Sequence, residues 1–314
     1  MSDIVHLPPY TVDFLHVPHS VQEGVDWGVS SYGIPELWRR TRGEGVTVAV
    51  VDSGIARHPS LTDVVVDHRN FTADTDPFDS LGHGTHVAGV IASNKGLAKG
   101  IAPGAKLISM KVLGHSGMGR TESVATAVRH AAEANVDIIC MSLGSSHPDS
   151  RLHDAIRYAH GKGVIIVCAA GNDGGAVNYP AAFAETIAVG AVDNKGEACE
   201  FSCRGKEVAV AAPGQDITST WLANGYATIS GTSMAAPFVA GVLALYVSEK
   251  KSNGQKVTHQ DVIKALGQTC RDVGAVGRDD VYGWGLLDPH KLLHYAPQAV
   301  PGGVTIYIPG GKVV

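Results

Sequence analysis

Short, continuous apolar runs alternate along this chain with segments whose apolar positions recur every three to four residues. Val46–Val51 predicts a buried strand ending at Asp52, followed by a helix over His83–Ile91 and a strand over Lys106–Val112. The pattern continues with a helix at Glu122–Ala134, a strand at Val136–Met141, a helix at Asp149–His160 and a strand at Val164–Ala169. Strands at Thr186–Val192 and Val208–Ala212 precede a long helix from about Ser233 to Ser248 and a last helix at Pro289–His294. Strands that are apolar throughout, separated by helices, predict a mainly parallel sheet covered on both faces, an α/β fold in three layers. No repeat and no Pro/Gly/Ser-rich linker divides the chain. The reading is therefore one domain over residues 25–296, with an extension at 1–24 and a tail at 297–314.

Composition adds bounds rather than identity. The 314 residues are 44% hydrophobic, enough for a sizeable core, and carry 38 glycines, as many tight turns and close approaches would require. A formal charge of −5 gives no electrostatic reason to expect nucleic acid or an anionic membrane as partner. Apolar runs such as Val164–Ala170 are far too short to span a bilayer. The N-terminus has neither a basic start nor an apolar signal core, and five cysteines without repeating spacing fit reduced thiols, so a cytoplasmic protein is expected. Cys199 and Cys203 lie close in sequence, but no second Cys/His pair matches them as a metal site.

Candidate chemistry gathers at the boundaries of the predicted elements. In Gly231-Thr232-Ser233-Met234-Ala235-Ala236-Pro237 a serine opens a long apolar helix. Unpaired first-turn N–H groups and the helix dipole favour an attacking oxygen and an oxyanion there. Asp52 ends the first strand before Ser53-Gly54, where a cap or turn aspartate is the alternative. His83 sits in Gly82-His83-Gly84-Thr85-His86, an H-x-x-H pair without the glutamate a zinc peptidase needs. Asn172 follows a strand in Ala169-Ala170-Gly171-Asn172, where a turn asparagine is the alternative. Each is unremarkable alone, but Asp, His, Ser in that order is one of the known chain orders of a serine triad.

With those four motifs, from about Trp27 to Leu293, the sequence resembles the subtilisin-like serine proteases, and most nearly their intracellular branch. The resemblance implies Ser233 as nucleophile, His83 as general base, Asp52 as the carboxylate orienting the imidazole, and Asn172 as oxyanion donor. It leaves His86 as structural. It implies peptide binding as an added strand along Ser142-Leu143-Gly144 and around Gly117 and Gly119, with broad specificity. Ser142–Gly144 and Ala169, Ala170 and Gly171 would wall the first pocket. Asn178, where many relatives have glycine, would shorten it and favour medium-sized residues; Thr121, in place of an aromatic rim, would open the fourth pocket.

Three further expectations follow from the same resemblance. The tight calcium site of secreted subtilisins is expected to be lost: Ser60 replaces its aspartate, and the loop Ser93–Gly100 is shorter and carries lysines, although calcium elsewhere stays open. No cofactor is needed for the chemistry. Leu7-Pro8-Pro9-Tyr10 resembles the Leu-Ile-Pro-Tyr/Phe segment with which intracellular subtilisins cover their own active site, making the extension an intramolecular inhibitor whose removal, up to about residues 15–23, raises activity. A loosely packed arm is the alternative there. The tail segment Gly303–Pro309 alternates like a strand and could pair within the chain or in a homodimer, with a flexible tail as the alternative. Two rival functions remain: a selective processing protease, and a catalytically silent peptide-binding protein on the same fold.

Overall fold

The computed structural model describes residues 3–15 and 24–296; the strand expected in the tail lies outside the described residues. Two short strands, β1 (Ile4–His6) and β2 (Val12–Leu15), precede the small helices α1 (Trp27–Ser31) and α2 (Ile34–Leu37). Strands and helices then alternate as β3 (Thr47–Asp52), β4 (Val65–Asn70), α3 (His83–Ala92), β5 (Lys106–Lys111) and β6 (Met118–Arg120). The series continues through α4 (Thr121–Glu133), β7 (Ile138–Met141), α5 (Ser150–Gly161) and β8 (Ile165–Ala169). Four strands follow, β9 (Ile187–Val192), β10 (Val208–Pro213), β11 (Ile217–Thr220) and β12 (Tyr226–Ile229). The chain closes with α6 (Thr232–Ser252), α7 (His259–Thr269) and α8 (Pro289–His294).

Seven strands form one parallel sheet in the order β10-β9-β8-β7-β3-β5-β4. Alternate residues of each strand feed two separate cores. Val48 and Val50 of β3, with Ile138, Cys140, Ile165 and Val167, pack towards α3 and α6. Ala49 and Val51, with Ile139, Met141, Ile166 and Cys168, pack towards α4 and α5. Both faces are thus buried, which is why these strands read as unbroken apolar runs. The 21-residue α6 is the one described helix long and apolar enough to cross a membrane, yet it lies buried against β7–β10 as the central core helix.

Chain order along the sheet reverses at β3, whose neighbours are β5 and β7. Open α/β sheets form a crevice beyond the carboxyl ends of strands at such a point. Asp52 ends β3, Ser142 follows β7, and Ala170–Asn172 follow β8, so the candidate chemistry gathers at one end of the sheet. A second, three-stranded sheet in the order β11-β12-β2 lies beside this end, and β1 pairs with β6. The N-terminal extension therefore supplies one strand to each of two small sheets flanking the crevice.

Candidate active site

Asp52 and His83 are both wholly buried, and the His83 Nδ1–H donates to Asp52 Oδ1 at 2.8 Å. A carboxylate only accepts, so the proton belongs on Nδ1 and Nε2 carries the free lone pair. The imidazole is held from the helix side as well. Ser53 Oγ accepts from Gly84 N–H (3.0 Å) and donates to Asp79 (2.9 Å), which also accepts from Leu81 N–H and from both N–H and Oγ1–H of Thr85. Burial outweighs these donors and pushes the Asp79 carboxyl above the usual range. Lys111, fully buried beside Asp52 in the β3–β5 ladder, ties down the preceding loop through the Phe78 carbonyl (2.9 Å) and an ion pair with Asp74 (3.2 Å).

Ser233 is the second residue of α6. Proline at 237 lacks the N–H that would bond the Ser233 carbonyl in the helical ladder, leaving that acceptor free. Ser142 Oγ–H fills it at 3.0 Å, which fixes the segment Ser142–Gly144 to the start of α6. The Ser233 hydroxyl itself donates to the Ser142 carbonyl at 3.4 Å, and His83 Nε2 makes no hydrogen bond among the described residues. The Tyr10 ring lies 5.1 Å from the His83 ring. Burial, with Asp52 and Asp79 nearby, pushes the Tyr10 hydroxyl up to about 12, so it stays protonated.

Asn172 is aimed by Thr232. Its Oδ1 accepts from Thr232 N–H (2.9 Å) and Thr232 Oγ1–H (2.7 Å), and Thr232 Oγ1 in turn accepts from Gly171 N–H (3.1 Å). With the oxygen so held, Nδ2 faces the crevice and donates to the Pro9 carbonyl at 3.2 Å. A Cβ on Gly231 would stand 2.7 Å from Nδ2, so only glycine leaves the amide in place. Thr232, Asp79, Ser53 and Lys111 were not singled out by sequence. Thr232 and Ser53 stood inside the motifs already read, whereas Asp79 and Lys111 lie outside them.

The residues expected to bind peptide hold the chain's own extension. His6 N–H donates to the Gly144 carbonyl and Gly144 N–H to the His6 carbonyl, both at 3.1 Å, and Leu7 N–H donates to Gly117 O at 3.1 Å. Val5 stands opposite Gly119 in the antiparallel β1–β6 pair, Thr121 N–H donates to Asp3 O, and Arg151 ion-pairs with Asp3 at 2.7 Å. Pro8 and Pro9 border a remaining space of about 40 Å³ with Leu143, Gly144, Ala169, Gly171 and Asn178. Ala170 O accepts from Asn178 N–H, which carries Asn178 into that wall.

Other candidates take quieter places. His86 is buried, its Nε2 donating towards the carbonyls of Ile217 (3.0 Å) and Ala227 (3.1 Å); burial, with His83 adding to it, pushes it down to about 3, so it is neutral. All five cysteines are free, and Cys203 donates to Asp173 Oδ1 at 2.8 Å with burial pushing its thiol up to about 11. The loop 94–97 is held by protein contacts: Tyr226 OH meets Ser60 Oγ (3.0 Å) and accepts from Leu97 N–H (3.2 Å), while Lys95 ion-pairs with Asp63 at 3.2 Å. Asn94 Oδ1 is buried without a partner. One amide oxygen beside a carboxylate already neutralised by lysine does not fit a calcium ion, which takes six to eight oxygens.

A buried Asp–His pair, a serine at a helix start and a braced side-chain amide beside it are the groups that a serine hydrolase acting on acyl groups needs. Comparison with known sequences narrows this. The model of the Subtilase family matches residues 43–285, and the chain belongs to that family. It is 43% identical over 259 residues to an intracellular serine protease of Paenibacillus polymyxa, covering 78% of each chain. It is 42% identical over 257 residues to the major intracellular serine protease of Bacillus subtilis, covering 76% of this chain and 80% of the relative. Subtilisin Savinase of Lederbergia lenta is 37% identical over 271 residues, 85% of this chain and 97% of that protein. The protein is thus a subtilisin-type serine protease.

Proposed function

We propose that this protease is a cytoplasmic endopeptidase of broad specificity, made as a precursor whose own N-terminal extension covers the active site. Ser233 Oγ attacks the scissile carbonyl carbon as His83 Nε2 takes its proton. Asp52 holds the imidazole tautomer and stabilises the imidazolium. Asn172 Nδ2 and the Ser233 N–H receive the oxyanion, the tetrahedral adduct expels the amine with the proton from His83, and water repeats the sequence to free Ser233. Broad specificity follows from binding through main-chain groups of Ser142–Gly144 and Gly117–Gly119, which read no side chain. Asn178 in the first pocket favours medium-sized residues before the bond; a peptide series in which Phe and Tyr outrun Leu and Met would contradict that.

The observation that carries the inhibitory reading is the Pro9 carbonyl on Asn172 Nδ2, with Tyr10 against His83. The segment lies where substrate would, yet the Ser233–His83 hydrogen bond is not made, so the nucleophile is not activated. The metal reading follows the donor set at Asn94: the loop is pinned by Tyr226 and Ser60 instead of by calcium, and the chemistry needs no cofactor. The names of two relatives, intracellular serine proteases, support the cytoplasmic reading.

Incubating the purified full chain, sequencing its new N-terminus and labelling it with a fluorophosphonate tests the proposal. Labelling is expected to be slow at first, at least about tenfold faster after the extension is cut, and absent in Ser233→Ala. Equal labelling before and after the cut refutes self-inhibition. Labelling that survives Ser233→Ala refutes the assigned nucleophile, and a wild-type chain that never labels favours a silent binding protein.

A further inference from the structure

The strand β12 ends three residues before Thr232 and would be the bare edge of its sheet without β2. The extension fills that edge in antiparallel register, Val12 opposite Ile229, Asp13 opposite Thr228, Phe14 opposite Ala227 and Leu15 opposite Tyr226. Upstream, the same segment passes Asn172 with its Pro9 carbonyl. Val12 to Leu15 are thus the third to sixth residues beyond that carbonyl. We infer that the free edge of β12 in the mature enzyme is a second substrate-docking edge, binding the third to sixth residues after the cleaved bond of an extended, unfolded protein segment. This rests on the peptidase reading above and adds to it a preference for protein substrates over short peptides.

The physical basis is main-chain pairing. An edge strand presents unpaired N–H and C=O groups that any extended segment can satisfy, whatever its side chains. The extension's residues here carry no common side-chain type: Val, Asp, Phe and Leu alternate across one register. The edge is rigidly set relative to the catalytic histidine. His86, one turn after His83 on α3, holds β11 and β12 together through the carbonyls of Ile217 and Ala227, and Ser219 Oγ–H donates to the His86 carbonyl at 2.9 Å. A strand seated on β12 is therefore aligned with the bond at Ser233.

One side chain adds selectivity. Phe14 is 71% exposed but meets the buried Trp221 edge to face, with ring centroids 6.2 Å apart. Trp221 in turn stands under Gly82, where a Cβ would lie 2.3 Å from the indole, and 6.1 Å from the His86 ring. The indole thus offers an aromatic platform to the fifth residue after the bond. Because Phe14 stays mostly in water, the preference is a modest one.

Quenched-fluorescence peptides with identical residues before the bond, and either two or six after it, test this on the chain matured by incubation. The six-residue peptides are expected to raise kcat/KM at least about tenfold, the worth of one or two added hydrogen bonds. Single N-methylations at the third to sixth positions should cost activity at alternate positions only, as in an antiparallel ladder. Phenylalanine at the fifth position should exceed glycine about threefold, and that ratio should fall towards one in Trp221→Leu. Should the variant not fold, the peptide series on the unaltered enzyme still decides. Cleavage of both lengths at equal kcat/KM overturns the inference while leaving the peptidase reading intact, as would a mature enzyme that covers this edge by dimerising. Failure to cleave either length overturns both.

Discussion

Replacing Thr232 by valine would remove one oxygen and nearly nothing else, and that oxygen connects three parts of the site. Thr232 Oγ1 donates to Asn172 Oδ1 at 2.7 Å and accepts from Gly171 N–H at 3.1 Å, whereas the Thr232 backbone bond to Asn172 survives the change. Two effects separate. The buried Gly171 N–H loses its acceptor, a cost to stability of about 1–2 kcal/mol, read as a Tm lower by about 2–3 °C in a chain of this size. The Asn172 amide, held by one bond instead of two, no longer points Nδ2 firmly into the crevice. Expected is a loss of about tenfold in kcat, about 1.4 kcal/mol of transition-state stabilisation, with KM within about twofold. A double-mutant cycle isolates the mechanism: in an Asn172→Ala background the valine should leave kcat almost unchanged. An equal further loss there, or an unaltered kcat in the single variant, would refute the idea that Thr232 works by aiming Asn172.

Three other outcomes follow from the same contacts. Lys111→Met strands Asp74 and frees the Phe78 carbonyl, and should lower stability in denaturant titrations by about 2–3 kcal/mol, less if Asp74 is also made leucine; a change under about 0.5 kcal/mol would show that the pair anchors nothing. His86 is neutral when folded, pushed down to about 3, while the unfolded chain protonates it near 6.5. Its contribution is therefore complete above pH 6.5 and shrinks as pH falls towards 3, so the stability gap to His86→Gln should narrow by up to about 1.4 kcal/mol per unit below pH 6.5. A gap that is constant from pH 7 to 5 contradicts this. Chelation by EDTA should move Tm by less than about 2 °C, since Tyr226, Ser60 and Lys95 already hold the 94–97 loop; a larger fall would reveal a structural metal.

The sheet was readable because its strands are buried on both faces: Val46–Val51 and Val164–Ala169 announce themselves as apolar runs, and their bounds fall within a residue or two of β3 and β8. The strand Val65–Asn70 escaped because it lies at the sheet's edge, where Asp67, His68 and Arg69 interrupt the pattern. Helix α7 is not among the predicted elements, although Thr258 and Asp261 form a capping box that marks its start in the sequence as Thr-x-x-Asp. Among the candidate site residues, those inside glycine-bearing motifs stand out in the sequence. The ones that aim them stand out less, because their partners are distant in sequence: Asn172 lies 60 residues from Thr232, and the Phe78 carbonyl 33 from Lys111. Spacing along a chain does not reveal such contacts; only the fold brings them together.

The extension reaches β12 at Leu15, and only eight residues separate it from Gly24, which is bonded to Gly96 and Lys99 beside Tyr226. So short a tether turns occupancy of the cleft into a question of local concentration. At an effective concentration of about 1 mM, a segment with a free Kd of about 10 µM would cover the site about 99% of the time. Cut loose in a solution of about 1 µM protein, the same segment would cover roughly one site in ten. Under the proposed self-inhibition a weak ligand would thus serve as a tight inhibitor, and cutting one peptide bond, with no change in any contact, would be enough to make its departure lasting.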